Sequence, residues 1–105
     1  MSKTKVTRPD QVRIAGKVFD INYVTKEEGM VQLGLTHWND LKINIQESQH
    51  PYEEKDTILH ECLHLCDFMA ELKLTEEQIT VLAHLLLGIF KDNTDFAKYI
   101  TKETY

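Results

Sequence analysis

The hydrophobic rhythm of the chain changes halfway along. Between residues 12 and 23, Val12, Ile14, Val18, Phe19, Ile21 and Tyr23 alternate roughly with polar neighbours on either side of Ala15-Gly16-Lys17. A period of two puts successive side chains on opposite faces of a strand, so the segment predicts a β-hairpin with a Gly-containing turn. Residues 25–29 are charged and read as a loop. A second hairpin is predicted over 31–38 and 41–45, with Asn39-Asp40 as turn residues that tolerate positive φ. Leu41, Ile43 and Ile45 then share one face, and Lys42, Asn44 and Gln46 the other.

From Pro51 onward the pattern is helical. Proline is favoured at the first helical position, where its missing N–H costs nothing, and no Pro or Gly interrupts the chain from there to about residue 72. Thr75-Glu76-Glu77-Gln78 has the form of a capping box, opening a second helix to about residue 91. Its apolar stripe runs through Ile79, Leu82, Ala83, Leu86 and Phe90, and Gly88 inside it costs about 1 kcal/mol. Residues 96–100 read as a short docking turn, and residues 1–10 as a loose polar lead-in. These elements predict one α+β domain over 1–105, a small antiparallel sheet of three or four strands packed on two long helices.

Composition narrows the class. A chain of 105 residues supports one modest core. A net charge of -5 with no basic stripe argues against a nucleic-acid binder. The longest apolar run, 81–90, contains His84 and Gly88 and is too short to span a membrane. Met1-Ser2-Lys3-Thr4-Lys5 lacks the apolar core of a signal peptide, so a cytoplasmic location is expected. Cys62 and Cys66, one helical turn apart, read as reduced core thiols rather than a disulfide.

Chemistry concentrates in His60-Glu61-Cys62-Leu63-His64. At about 100° per residue, His60 and His64 project from one helix face, where a single zinc ion can reach both imidazoles. Glu61 lies to the side, placed to act as general base on a water at an open coordination position. The flanking Thr57, Ile58, Leu59, Leu65 and Cys66 are uncharged, as a buried spine requires.

A catalytic zinc needs a third protein ligand, and the second helix offers Glu76, His84 and Glu77. Glu76 extends the apolar stripe and is favoured. His84 is the rival: a tight antiparallel turn near Leu74 would bring it level with His64. Glu77 points away and reads as a solvated first-turn acid. Asp67 and Glu71 share the face of the histidines, so Asp67 is either a carboxylate holding a ligand imidazole or a solvated acid. His37 and Trp38, at a hairpin end, are ordinary turn-flanking residues or the lining of a cleft. His50, before Pro51, reads as a helix-start residue. A strand edge at 41–45 would align an extended substrate by β-augmentation.

With these residues in place, the sequence resembles the zincin metallopeptidases of the gluzincin type, where the third ligand is the Glu of a downstream Glu-x-x-Ala-Asp/Asn pattern. More closely, it resembles the ImmA/IrrE-like metallopeptidases and the very small zincin-like proteins encoded by phages and prophages. Thr57-Ile58-Leu59, Asp67, Leu74-Thr75-Glu76 and Lys91-Asp92-Asn93 carry the closer likeness, over roughly residues 12–95. The resemblance implies a minimal zincin-like fold and an endopeptidase-like activity on a specific protein or peptide substrate. It implies Zn2+ held by His60, His64 and Glu76, with Glu61 as general base. Ile79 and Thr80 depart from the pattern after Glu76. The alternative reading is a non-catalytic module that keeps zinc for stability while binding a partner protein.

Overall fold

The computed structural model describes residues 7–102, so part of the lead-in, residues 1–6, lies outside the described residues. The elements run β1 (Gln11–Ile14), β2 (Lys17–Val24), β3 (Gly34–His37), β4 (Lys42–Gln46), α1 (Pro51–Ala70), α2 (Glu76–Asp92) and α3 (Thr94–Thr101). The first hairpin forms as its alternation predicts. Ile14 pairs with Lys17 across a two-residue turn, with φ of 49° at Ala15 and 83° at Gly16.

The α+β class stands, but the sheet is mixed rather than antiparallel. Strand order is β1-β2-β4-β3, and the central pair β2–β4 is parallel, from Asp20↔Lys42 to Val24↔Gln46. The connection over 25–33 carries the chain past the position of β4 to the sheet edge. There β3 forms, and β4 returns between β3 and β2. The same connection explains why β3 starts at Gly34 instead of residue 31. Gln46 Nε2 donates to the Met30 carbonyl at 3.2 Å, and Gln49 Nε2 to that of Leu33 at 3.0 Å. Side chains satisfy this backbone, so it needs no strand partner.

Phe19, Ile21, Ile43 and Ile45 face α1 and form the core with Leu65, flanked by Ile58, Cys62, Met69 and Trp38. Leu41 does not join them. In the β3–β4 turn its amide donates to the Trp38 carbonyl at 3.1 Å, and the positive φ falls on Leu41, at 51°, rather than on Asn39 or Asp40. The left-handed backbone swings its side chain to the surface.

Helix α1 begins with His50 as cap, its Nδ1 accepting from the Tyr52 amide at 3.2 Å, and Pro51 follows. It ends at Ala70, two residues before the expected limit, because Glu71 turns left-handed at φ 52°. Both halves of the capping box at Thr75 and Gln78 are present at the start of α2. Ile79 and Ala83 are buried and Leu86 and Phe90 half-buried, whereas Leu82 lies exposed on the flank of the stripe. The docking turn expected at 96–100 is a full helix, α3, with no buried residue.

The lead-in is anchored where it meets the sheet. The Arg8 guanidinium lies 3.6 Å from the Tyr23 ring centre and 2.6 Å from Glu47, and Tyr23 donates its hydroxyl to the Pro9 carbonyl. Among the described residues no helix is long and apolar enough to cross a membrane. Both cysteines are free, but only Cys62 packs against the core; Cys66, about 40° further round the helix, is exposed. Burial pushes the Cys62 thiol up to about 11.

Two outcomes follow from these local environments. Ala15→Asn, in a turn where both residues have positive φ, should raise stability by about 0.5–1 kcal/mol, read as a higher urea midpoint with unchanged slope. At pH 7.5 an alkylating reagent should label Cys66 well before Cys62, because the thiolate is the nucleophile and the Cys62 thiol is sheltered; peptide mass mapping reads the order.

Candidate metal centre

Three elements assemble the site. On α1, His60 and His64 lie on one face and turn toward the first turn of α2. Glu61, one residue round the helix, turns under β3 instead. His60 Nε2 and His64 Nε2 are 3.1 Å apart. The Glu76 carboxylate caps both, with Oε1 2.6 Å from His60 Nε2 and Oε2 2.8 Å from His64 Nε2. One donor atom each from His60, Glu61 and His64 also fall within 4.8 Å of one another.

The donors converge on one point, but at hydrogen-bond distances. Zinc–ligand bonds of about 2.0–2.2 Å would separate tetrahedral donors by about 3.3–3.6 Å, so the two imidazoles and the carboxylate would have to open around an ion. Protons alone satisfy the carboxylate, one oxygen for each imidazole, but leave the 3.1 Å contact between the two ring nitrogens uncompensated. Each Nε2 has one in-plane direction for a hydrogen bond but meets two partners, the other nitrogen and the carboxylate. If both imidazoles donate to Glu76, two N–H groups face each other. A cation at the common point lets all three groups direct a lone pair inward. The Glu76 side chain remains 67% exposed, which leaves the centre open to solvent.

Asp67 fixes which residue of α2 arrives here. Its Oδ1 accepts from the Leu74 amide at 2.8 Å, and its backbone carbonyl accepts from Leu72 at 3.2 Å. The connection after α1 therefore folds back along the last turn of α1 before α2 begins. Glu76 comes level with His60 and His64, and His84 is carried on to the start of α1. There its ring meets Tyr52 edge-on and its Nδ1 lies 3.6 Å from Asp56 Oδ1. The turn-near-Leu74 register that would have favoured His84 is thus shifted. Asp67 is neither a solvated acid nor seen to hold an imidazole; it braces the helix connection. Glu71 is the left-handed cap of α1, and Glu77 lines a separate groove with Leu74, Val81 and Leu82. His37 meets Asn44 at 3.3 Å, and His50 caps α1.

Glu61 is 6% exposed, and its Oε1 accepts from Thr36 Oγ1 at 2.6 Å. A buried carboxylate needs such a partner, and this one aims Glu61 while leaving lone pairs free. Strand β3 lies close because Gly34 has no side chain. A Cβ there would stand 2.7 Å from Thr57 Cγ2 and 2.9 Å from Glu61 Cγ. Neither Thr36 nor Gly34 emerges from motif spacing. A glycine inside a predicted strand, between Leu33 and Leu35, is nevertheless the signal of a close backbone approach.

Two clefts meet at Glu61. One, of about 380 Å³, is bordered by Gln32, Gly34, Asp56, His60, Glu76 and Thr80. The other, of about 360 Å³, is walled by Leu35, Trp38, Leu65 and Phe68, with His64 and Thr36 at its inner end. Strand β3 is a sheet edge and borders both. The 41–45 segment expected to offer a free edge is instead β4, paired on both sides. Comparisons of the chain with protein-family models, curated proteins and solved structures find no significant match.

The two glycines against which a methyl can be tested should respond with opposite signs. Gly34→Ala should destabilise by about 1–3 kcal/mol, since the methyl must displace Thr57 and Glu61. Gly88→Ala, in a helix with nothing within 4 Å of the new atom, should stabilise by about 0.5–1 kcal/mol. Urea titration of the two variants reads both.

Proposed function

We propose that this protein is a zinc-dependent peptidase whose centre is held by His60, His64 and Glu76 and whose general base is Glu61. The observation that carries the reading is the convergence of the Glu76 carboxylate on both imidazoles, at 2.6 and 2.8 Å, from a different helix. The likeness of the motif to gluzincins and to ImmA/IrrE-like metallopeptidases supports the same assignment. When bound, zinc would supply Lewis acidity, making water more acidic and a peptide carbonyl more electrophilic.

The chain's own groups do the rest. The free edge of β3 pairs with an extended peptide and lays its carbonyl across the opening between the two clefts. Glu61, aimed by Thr36, takes the proton of the attacking water and passes it to the departing amine nitrogen. The few loops around the centre favour one protein partner over broad digestion. The free thiols of Cys62 and Cys66 fit a cytoplasmic setting.

The alternative, a zinc-stabilised binding module without catalysis, gains from a closed set of four protein donors. His84, the fourth donor that the spacing offered, stands beside Tyr52 and Asp56 instead. A buried Glu61, held by Thr36 on the β3 side, also favours the hydrolytic reading.

Elemental analysis after dialysis should find one zinc per chain in wild type, in Glu61→Gln and in His84→Ala. His64→Ala and Glu76→Ala should lose it. On a peptide library, Glu61→Gln should lower cleavage by about 10²–10⁴-fold with zinc retained. A wild-type protein without zinc, or full zinc in Glu76→Ala, overturns the ligand set. Bound zinc with no cleavage of any peptide turns the reading toward the binding module.

A further inference from the structure

The cleft between β3 and the C-terminal half of α1 is built differently from its neighbour. Its walls are the apolar side chains of Leu35, Trp38, Leu65 and Phe68. The Trp38 ring is fixed between two others, 5.8 Å from the buried Phe19 and 4.5 Å from Phe68. Phe68 is 57% exposed, a large aromatic left at the rim when the core beneath it is already filled by Leu65. Asp67 borders the cleft, but its Oδ1 is committed to the Leu74 amide. At the inner end lie Glu61 and His64, so whatever fills this space touches the centre. The other cleft has a single large apolar side chain, Leu33, among Gln32, Asp56, Thr80 and Glu76.

From this asymmetry we infer that the Trp38–Phe68 cleft is a specificity pocket, taking a large apolar side chain such as leucine or phenylalanine. The inference rests on the metal-centre reading above and names the substrate class it serves. A volume of about 360 Å³ accepts one such side chain with part of its backbone. The two rings pack on each other, 4.5 Å apart and tilted by 51°, so together they form one continuous apolar wall of the cleft. Trp38 and Phe68 are then specificity determinants, and acidic residues at this substrate position are disfavoured both by the apolar wall and by the neighbouring Asp67 carboxylate.

The test uses the zinc-loaded full chain and two probes, N-acetyl-leucine hydroxamate and N-acetylglycine hydroxamate, titrated by calorimetry. Trp38 is the single tryptophan, so its emission separately reports filling of the pocket. Burial of a leucine side chain should make the leucine probe bind about 10- to 100-fold tighter and change Trp38 emission, while the glycine probe leaves emission unaltered. Phe68→Ala, at an exposed position that leaves the core intact, should cut the preference to within about threefold; Phe68→Leu should restore most of it. Equal affinities for the two probes, or a preference that survives Phe68→Ala, overturn the pocket while the metal centre stands. Zinc held with neither probe bound also overturns it, since the cleft then has no route to the centre. A chain that holds no zinc removes both the pocket's role and the peptidase reading.

Discussion

Helix α1 must meet different neighbours on adjacent faces, and the structure is arranged around that constraint. One face, with Ile58, Cys62, Leu65 and Met69, closes the core over Phe19, Ile21, Ile43 and Ile45. The next, with His60 and His64, must stay open enough for Glu76 to approach from α2. Glu61 falls at the boundary between them. A rotation of the helix by a few tens of degrees would expose Leu65 or bury the imidazoles, so packing of the core fixes the aim of the site.

The boundary position explains the polar groups around Glu61. Carboxylate burial is costly without compensation, and the compensation here comes from Thr36 on an edge strand. That strand reaches Glu61 because Gly34 allows it, and the segment leading to Gly34 is held by the side-chain amides of Gln46 and Gln49. Asp67 performs the corresponding service for Glu76 by setting where α2 begins. None of these five residues touches the proposed ion, yet each bears on whether a residue that does, or that acts beside it, is in place.

The sequence made the local features legible. The two-residue turn at Ala15-Gly16, the proline start of α1, the capping box at Thr75 and the placement of His60, Glu61 and His64 on one helix all depend on residues close in the chain. The parallel pairing of β2 with β4 was not legible, because Val24 and Gly34 are joined by a connection whose course depends on Gln46 and Gln49, well downstream. The register of α2 along α1 posed the same difficulty. Spacing allowed either Glu76 or His84 to face the histidines, and one hydrogen bond from Asp67 chose between them. Periodicity alone puts Leu41 and Cys66 inward, which a left-handed backbone at Leu41 and the offset of about 40° between Cys66 and Cys62 both defeat.

The order of the strands also bears on how the chain finds its shape. Both hairpins close locally, β1 on β2 and β3 on β4, but the pair that joins them at the middle of the sheet links Asp20 to Lys42. Loop-closure entropy makes that union costlier than the closure of either hairpin, and α1 packs across it. Gly34 and Thr36 belong to one hairpin, Phe19 and Ile21 to the other, and α1 touches both. Glu61 therefore lies under one ribbon while its helix is seated on both, so the aim of the carboxylate depends on the parallel seam that joins them.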